Sequence, residues 1–249
     1  LVRSLLSVDY PEDLFEVLVV DDGSTVPISA SDLKKGPIID MHIHILRFDK
    51  NRGVAPSLNL ALEYLSKRTD FKYIARLDCG DLCVNDRFSK QVQFLNNHPE
   101  IGLSGSQVMF RAFGSGKEYR YENKIEHRDI VKEMHHKCSF IHPSVMFRRE
   151  ILGKVGLYPE NYLHCEDYAF FFKIIKLYIS YNIPEILLVS EINDNGISAR
   201  FRKKQIISRM RIVNDFGSDA MLKASGLLRL LILLLIPLRI TRYLNTLKR

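Results

Sequence analysis

Three acidic clusters carry most of the chemistry visible in this chain. "VVDDGST" places Asp21 and Asp22 where a run of β-branched residues stops and small, flexible ones begin. A carboxylate there can accept a hydrogen bond from the ring imide of a nucleotide base or from a ribose hydroxyl; it can equally cap a polar turn. "RLDCGD" places Asp78 and Asp81 three residues apart, with Gly80 between them. Such a loop is either an ordinary turn or a pair of hard oxygen ligands for Mg²⁺ or Mn²⁺, the ions that sit beside substrate phosphates. "HCEDYAFFFKI" sets Glu166 and Asp167 at the head of an aromatic segment. Acids are favoured at a helix N-terminus by the macrodipole, and the same carboxylates facing a cleft could act as a general base. One such loop is weak evidence of a site, whereas three at element edges in one chain are harder to dismiss as turns.

The elements that must hold these loops read as alternating strands and helices. "FEVLVV" (15–20) is a short, nearly continuous apolar run, the pattern of a buried parallel strand. "MHIHILRF" (41–48) predicts a second strand, and the segment after it predicts a helix with Leu58, Leu60, Ala61, Leu62 and Leu65 toward a sheet. "YIARL" delivers the "RLDCGD" loop. "NDRFSKQVQFLNNHP" predicts a helix with Phe88, Val92 and Leu95 on one face, stopped before Pro99. "IGLSGSQVMF" follows as a strand. Then come a polar hairpin and a short helix, a strand running into a helix at "SFIHPSVMFRREIL", the aromatic helix, and a strand at "YNIPEILLVS". The alternation predicts an α/β fold, a doubly wound mixed sheet with flanking helices. Acidic loops at carboxyl strand ends are where such sheets bind ligands.

Composition narrows the setting. The 249 residues are 46% hydrophobic and 26% charged, enough for a packed core and too apolar for general disorder. Cys79, Cys83, Cys138 and Cys165 follow no framework spacing, which fits reduced thiols in a cytosolic setting. His135, His136 and His164 form no C-x-x-C or H-x-x-x-H pairing with them, so zinc is not indicated. The net charge of +7 is uneven: residues 200–249 hold twelve Lys and Arg against Asp215 and Asp219. A basic tail on a slightly acidic body is not the pattern of a nucleic-acid-coating surface; an anionic membrane surface is the partner it suggests. Within that tail, Leu230 to Leu238 is the longest apolar run, bracketed by Arg229 and Arg239 and interrupted by Pro237. It is too short to span a bilayer, which needs about 20 apolar residues. The expectation is a helix at 226–247 lying in the membrane plane, with a core-covering helix as the other reading. The chain opens on "LVRSLLSVDYP" without methionine, as though entered partway through a helix.

Taken together, "YPEDLFEVLVVDDGST", "NRGVAPSLNLAL", "YIARLDCGD", "HPSVMFRREIL", "GLYPENY" and "EDYAFFFKI" resemble, in order and spacing, the family 2 glycosyltransferases of bacterial surface-polysaccharide type. The resemblance covers roughly 1–198. It implies a GT-A fold, inverting transfer from a nucleotide-sugar (a UDP-sugar first of all) to a glycan or lipid-linked acceptor, and a divalent cation. It also implies a missing amino-terminal strand and a catalytic domain at 1–199, which leaves the basic helical tail at 200–249 outside it. By position it implies that Asp22, with Asp21 nearby, contacts the base, and that Arg76 and Asp78 line the nucleotide. It further implies that Asp78 and Asp81 hold the metal, that Asp167 is the base supported by Glu166, and that His142 lies toward the acceptor. Two departures stand out. Gly80 occupies a place where the family usually has Asp, and "SEINDNGIS" replaces the Arg and His many members carry after the last strand. A nucleotidyltransferase would need a glycine-rich basic phosphate loop, and none is visible. A non-catalytic sugar- or partner-binding domain is the alternative from another class. A cytoplasmic enzyme on the inner face of the cell membrane is the expectation.

Overall fold

The computed structural model describes residues 2–29, 33, 41–114, 116–192 and 200–236. A short helix, α1 (Val2–Leu5), precedes strand β1 (Val17–Asp21), which pairs in parallel with β2 (Ile43–Arg47), Val17 opposite Ile43 and Asp21 opposite Arg47. These two strands form a sheet of their own, with helix α2 (Val54–Ser66) against β1.

The remaining strands make a six-stranded mixed sheet. They are β3 (Tyr73–Ala75), β4 (Leu82–Cys83), β5 (Ile101–Ala112), β6 (Glu118–Tyr121), β7 (Met146–Arg148) and β8 (Ile179–Ile192), ordered β3-β7-β5-β8-β4 with β6 on β5. Only β5 and β8 run parallel; the other pairs are antiparallel. The first eight residues of β5 are buried, as a central strand covered on both faces requires. Strand β8 starts two residues before the expected boundary and tolerates Pro184, because the register skips from Ile183 to Ile186 there. Proline lacks a ladder donor, and a bulge is where that loss is cheapest. The two-residue β4 has no periodicity to betray it and is absent from the sequence-based reading.

Helices α3 (Arg87–Asn97), α4 (His127–Met134), α5 (Leu152–Val155), α6 (Glu166–Leu177), α7 (Arg202–Phe216) and α8 (Ala220–Leu235) complete the described chain. The main core is built around α6, whose Phe170, Phe171 and Phe172 are all buried, against Leu103, Val145 and Phe147 of the sheet side and Leu58 and Leu62 of α2. Helices α7 and α8 bury Ile206, Ile212, Val213 and Leu230 in that same core. The basic carboxyl-terminal segment is therefore packed onto the body as far as it is described. Its last helix starts at Ala220, six residues earlier than expected, because the Asp219 carboxylate caps it by accepting from the Leu222 amide at 2.9 Å. Residues 237–247 of the expected in-plane helix lie outside the described residues.

Candidate active site

Strand pairing assembles the site. Because β3 and β7 run antiparallel, with Ala75 opposite Met146, the end of β3 meets the start of β7. The Arg76 amide donates to the Val145 carbonyl at 3.0 Å, which brings the "RLDCGD" loop beside the turn that carries His142. At the other edge of the sheet Leu82 faces Val189, so the preceding Asp81 lies against Ser190 and the Glu191 amide. Helix α6 meets the same region at its first turn, where Asp167 feels His142. Its Phe171 ring lies 5.9 Å from His142, and its Phe170 stacks on Tyr158 at 4.0 Å. The Tyr158 backbone is locked to Asn59 of α2 at both its N–H and its carbonyl, at 2.8 and 3.0 Å.

Electrostatic contacts link Arg76, Asp78, Asp81, His142, Glu166 and Asp167 into one cluster. Arg76 donates to Asp78 at 2.6 Å. Burial works against ionisation of Asp78, yet Arg76, His142 and the buried Arg87 outweigh it and hold its carboxyl below the ordinary range. Asp81 behaves oppositely. It is 6% exposed, and burial, with the charge of Asp78, pushes its carboxyl up to about 6 against the hydrogen bond from Ser190. Burial and the charge of Arg76 lower the His142 imidazole, which pairs with the Tyr158 hydroxyl at 3.0 Å and is neutral near pH 7. At the head of α6, burial raises Asp167, and neighbouring Glu166 adds to the rise. His142, the Tyr168 amide (2.7 Å to Oδ1) and Arg209 oppose it. Burial also raises Glu166. A half-buried carboxylate with raised proton affinity, beside a neutral imidazole, is chemically equipped to take a proton.

Asp21 and Asp22 sit apart, on the β1–β2 sheet, and both carboxylates are engaged. Asp21 is 2% exposed and accepts from the Ser24 amide at 2.8 Å, the Ile28 amide at 3.3 Å and Arg47. The Ser24 amide and hydroxyl, then the Ile28 amide and Arg47, hold it down at about 2 although burial opposes them. Its charge is spent on shaping the loop, so of the two only Asp22 offers a half-buried carboxylate to a ligand. Asp22 accepts from the Arg52 and Gly53 amides at 2.7 and 2.9 Å and keeps lone pairs beyond those bonds.

Hard carboxylate oxygens at Asp78 and Asp81 fit Mg²⁺ or Mn²⁺ in donor type, and a cation would offset both the burial that raises Asp81 and the smaller contribution from the charge of Asp78. No cluster of three potential protein ligands occurs among the described residues. Gly80 has φ +107° with open space where a Cβ would point, a conformation side chains rarely adopt. Its amide donates to Ser4 Oγ at 2.9 Å, which pins the loop to α1.

Two supports escaped sequence reasoning. Arg87, 1% exposed, donates to the Arg76 carbonyl at 2.8 Å and to Gln91 at 2.9 Å, while Gln91 reaches the Ser144 carbonyl at 3.0 Å. They thus tie both loops of the cluster to α3. The available signal was their i, i+4 spacing in line with Leu95, which puts a polar pair on the buried face. The other support is α7. Gln205 donates to the His164 carbonyl at 3.1 Å, Ser208 to the Leu163 carbonyl at 2.9 Å, and the Tyr162 hydroxyl to Asp215 at 2.8 Å. His164 is held at φ +61° with its ring stacked on Phe201 at 4.4 Å. The loop that launches Glu166 and Asp167 is therefore clamped by the basic segment, and no local pattern announces it. Of "SEINDNGIS", Ser190 to Ile192 end β8, and residues 193–199 lie outside the described residues.

A mixed sheet with flanking helices, carrying clustered acidic loops, is the architecture of the GT-A glycosyltransferases, and solved structures bear this out. The chain superposes on mannosyltransferase PcManGT of Pyrobaculum calidifontis, solved with GDP-Man and Mn²⁺, with TM-score 0.62 at 19% identity, covering 91% of this chain and 62% of that one. S. aureus TarS 1-349 in complex with UDP-GlcNAc gives 0.58 at 15%, covering 93% and 66%. The profile of glycosyl transferase family 2 matches residues 1–156, and the chain belongs to that family. Among curated relatives, the amylovoran biosynthesis glycosyltransferase AmsE of Erwinia amylovora is 29% identical over 186 residues, 74% of this chain and 66% of that protein. The Escherichia coli UDP-Gal:alpha-D-GlcNAc-diphosphoundecaprenol beta-1,3-galactosyltransferase is 26% identical over 207 residues, 81% and 71%. The chain thus spans just under two thirds of the length of AmsE and of PcManGT.

Proposed function

We propose that this chain is an inverting glycosyltransferase that moves a sugar from a nucleotide-diphosphate donor, a UDP-sugar first of all, to a hydroxyl of a glycan or lipid-linked acceptor in cell-surface polysaccharide synthesis. The observation that carries it is the Asp167 carboxylate, raised in proton affinity at the head of α6 and facing the Arg76–Asp78 pair across His142. Asp167 accepts the proton of the acceptor hydroxyl while that oxygen bonds to the anomeric carbon. The bond from that carbon to the diphosphate oxygen breaks on the opposite face, and one displacement inverts the centre. Glu166 keeps the local field negative, which raises the basicity of Asp167. His142, paired with Tyr158, orients on the acceptor side. Asp22 receives the base of the donor, Arg76 and Asp78 line its ribose and phosphates, and Asp21 serves as the support of that loop.

Asp78 and Asp81 would hold Mg²⁺ or Mn²⁺, whose chemistry when bound is to neutralise charge on the leaving diphosphate. The Mn²⁺ present with GDP-Man in the mannosyltransferase structure supports a divalent ion. The body at 1–199 is the catalytic unit, and α7 completes it by clamping the Asp167 loop. A galactosyltransferase relative that acts on a diphosphoundecaprenol-linked sugar supports a lipid-borne acceptor, and with it a place on the cytoplasmic face of the membrane. A screen of nucleotide-sugars with purified protein and a lipid-linked acceptor, scoring nucleotide diphosphate release, tests this. Release that depends on both donor and acceptor is the expected result. Donor binding without release under any pairing would favour a non-catalytic sugar-binding domain.

A further inference from the structure

Helix α8 is apolar on both sides. Gly226 and Leu230 face the core, and a Cβ at Gly226 would come within 1.9 Å of the His135 carbonyl oxygen, so the helix is locked in rotation by close backbone approach. On the other side Met221, Leu228, Leu231, Ile232 and Leu235 are 82, 58, 44, 46 and 76% exposed. Their spacing of seven, three, one and three residues places them on one outward stripe. A helix that is hydrophobic all round is a buried helix, and half of this one has no protein against it among the described residues.

At the flank of the stripe lies a recess of about 390 Å³ between α4 and α8. Lys124, Lys132, Lys137 and Arg229 line it against only Asp129 and Glu133. Those two carboxylates are already matched, Asp129 by Lys132 and Glu133 by Lys137, each at 3.3 Å. Arg229 donates to the His136 carbonyl, which holds its guanidinium at the rim. Two positive charges are left over beside an apolar stripe.

We propose that the outward stripe of α8 and the basic recess beside it form one docking surface for a bilayer rich in anionic phospholipid, the leucines entering the acyl boundary and the recess taking a lipid phosphate. The proposal rests on the membrane-surface reading above and locates the contact. An acidic protein would match the recess but leave the leucine stripe wet, whereas an anionic bilayer satisfies both. With 16 residues α8 is about 24 Å long, and no described helix is long and apolar enough to cross a membrane, so it lies in the plane.

The test is flotation of the full chain with phosphatidylcholine vesicles, with and without phosphatidylglycerol. Wild type should float with the anionic vesicles and far less with the neutral ones. L228S/L231S should lose flotation, and K124A/R229A, which removes the two unmatched charges, should bind about 25-fold more weakly, about fivefold per charge removed. Unchanged melting temperature and donor binding would show that both variants fold, and K124A alone, which leaves the Arg229 bond intact, should still lose about fivefold. Absence of wild-type flotation would overturn the membrane reading itself. Wild-type flotation that both double variants retain would overturn this surface while leaving membrane contact to other parts of the chain. Equal binding to neutral vesicles would overturn the role of the recess.

Discussion

Replacing Asp167 by Asn probes the proposed base with the least structural disturbance. The amide oxygen of Asn can still accept from the Tyr168 N–H, a 2.7 Å bond in the native chain, so the first turn of α6 keeps its geometry. What disappears is proton affinity. General-base catalysis contributes about 10²–10⁴-fold, or about 3–5 kcal/mol of transition-state stabilisation. The upper part of that range is expected, because burial raises the basicity of Asp167 and the nearest imidazole, His142, is committed to Tyr158. Turnover, measured as nucleotide diphosphate release with saturating acceptor, should fall by that factor with the donor KM unchanged. In wild type kcat should rise with pH through an ionisation above the ordinary Asp range, and this acid limb should vanish in the variant. The sign for stability is the reverse. A carboxyl raised in the folded state binds its proton more tightly folded than unfolded, so its contribution is favourable at low pH and is lost as pH rises through the folded value. At pH 7, far above the unfolded value, ionisation of this carboxyl favours the unfolded chain, and Asp167→Asn should melt no lower than wild type. Turnover within a few-fold of wild type, or an intact acid limb, would refute the assignment of Asp167.

Chelation should abolish sugar transfer, and Mn²⁺ or Mg²⁺ should restore it. Independently of turnover, Mn²⁺ should raise the melting temperature of the wild-type protein and leave that of Asp81→Ala unmoved, since the cation offsets the burial of Asp81 and the charge of Asp78 beside it; full activity in chelator would instead point to metal-free catalysis. For the α7 clamp, Ser208→Ala and Gln205→Ala each remove a hydrogen bond to the loop before Glu166, worth about 1 kcal/mol. If α7 positions Asp167, the pair of changes should lower kcat with donor KM nearly constant, whereas equal loss of donor binding would reduce the clamp to general stability.

The α/β class, the order of the main strands and helices, and the position of each acidic loop were legible because they are local properties. A β-branched run ending in Asp-Gly is a strand end wherever it folds, and Leu58 with Leu62, or Phe88 with Leu95, repeat at helical spacing. Family membership was legible for the same reason, being carried by six short motifs in order. What lay beyond the sequence depends on partners distant in the chain. Asp21 and Asp22 are adjacent and chemically identical, yet only the fold shows Arg47 and two amides consuming the first. The insertion of β7 between β3 and β5 is what sets His142 beside Asp78, and the two-residue β4 is what presses Asp81 onto Ser190. No periodicity marks a strand that short. The apolar run of α8 was plain to read, but which leucines face the core was decided by the close approach of Gly226 to His135, some ninety residues earlier in the chain. Such contacts answer to packing in three dimensions, where burial, charge and hydrogen-bond supply are settled together.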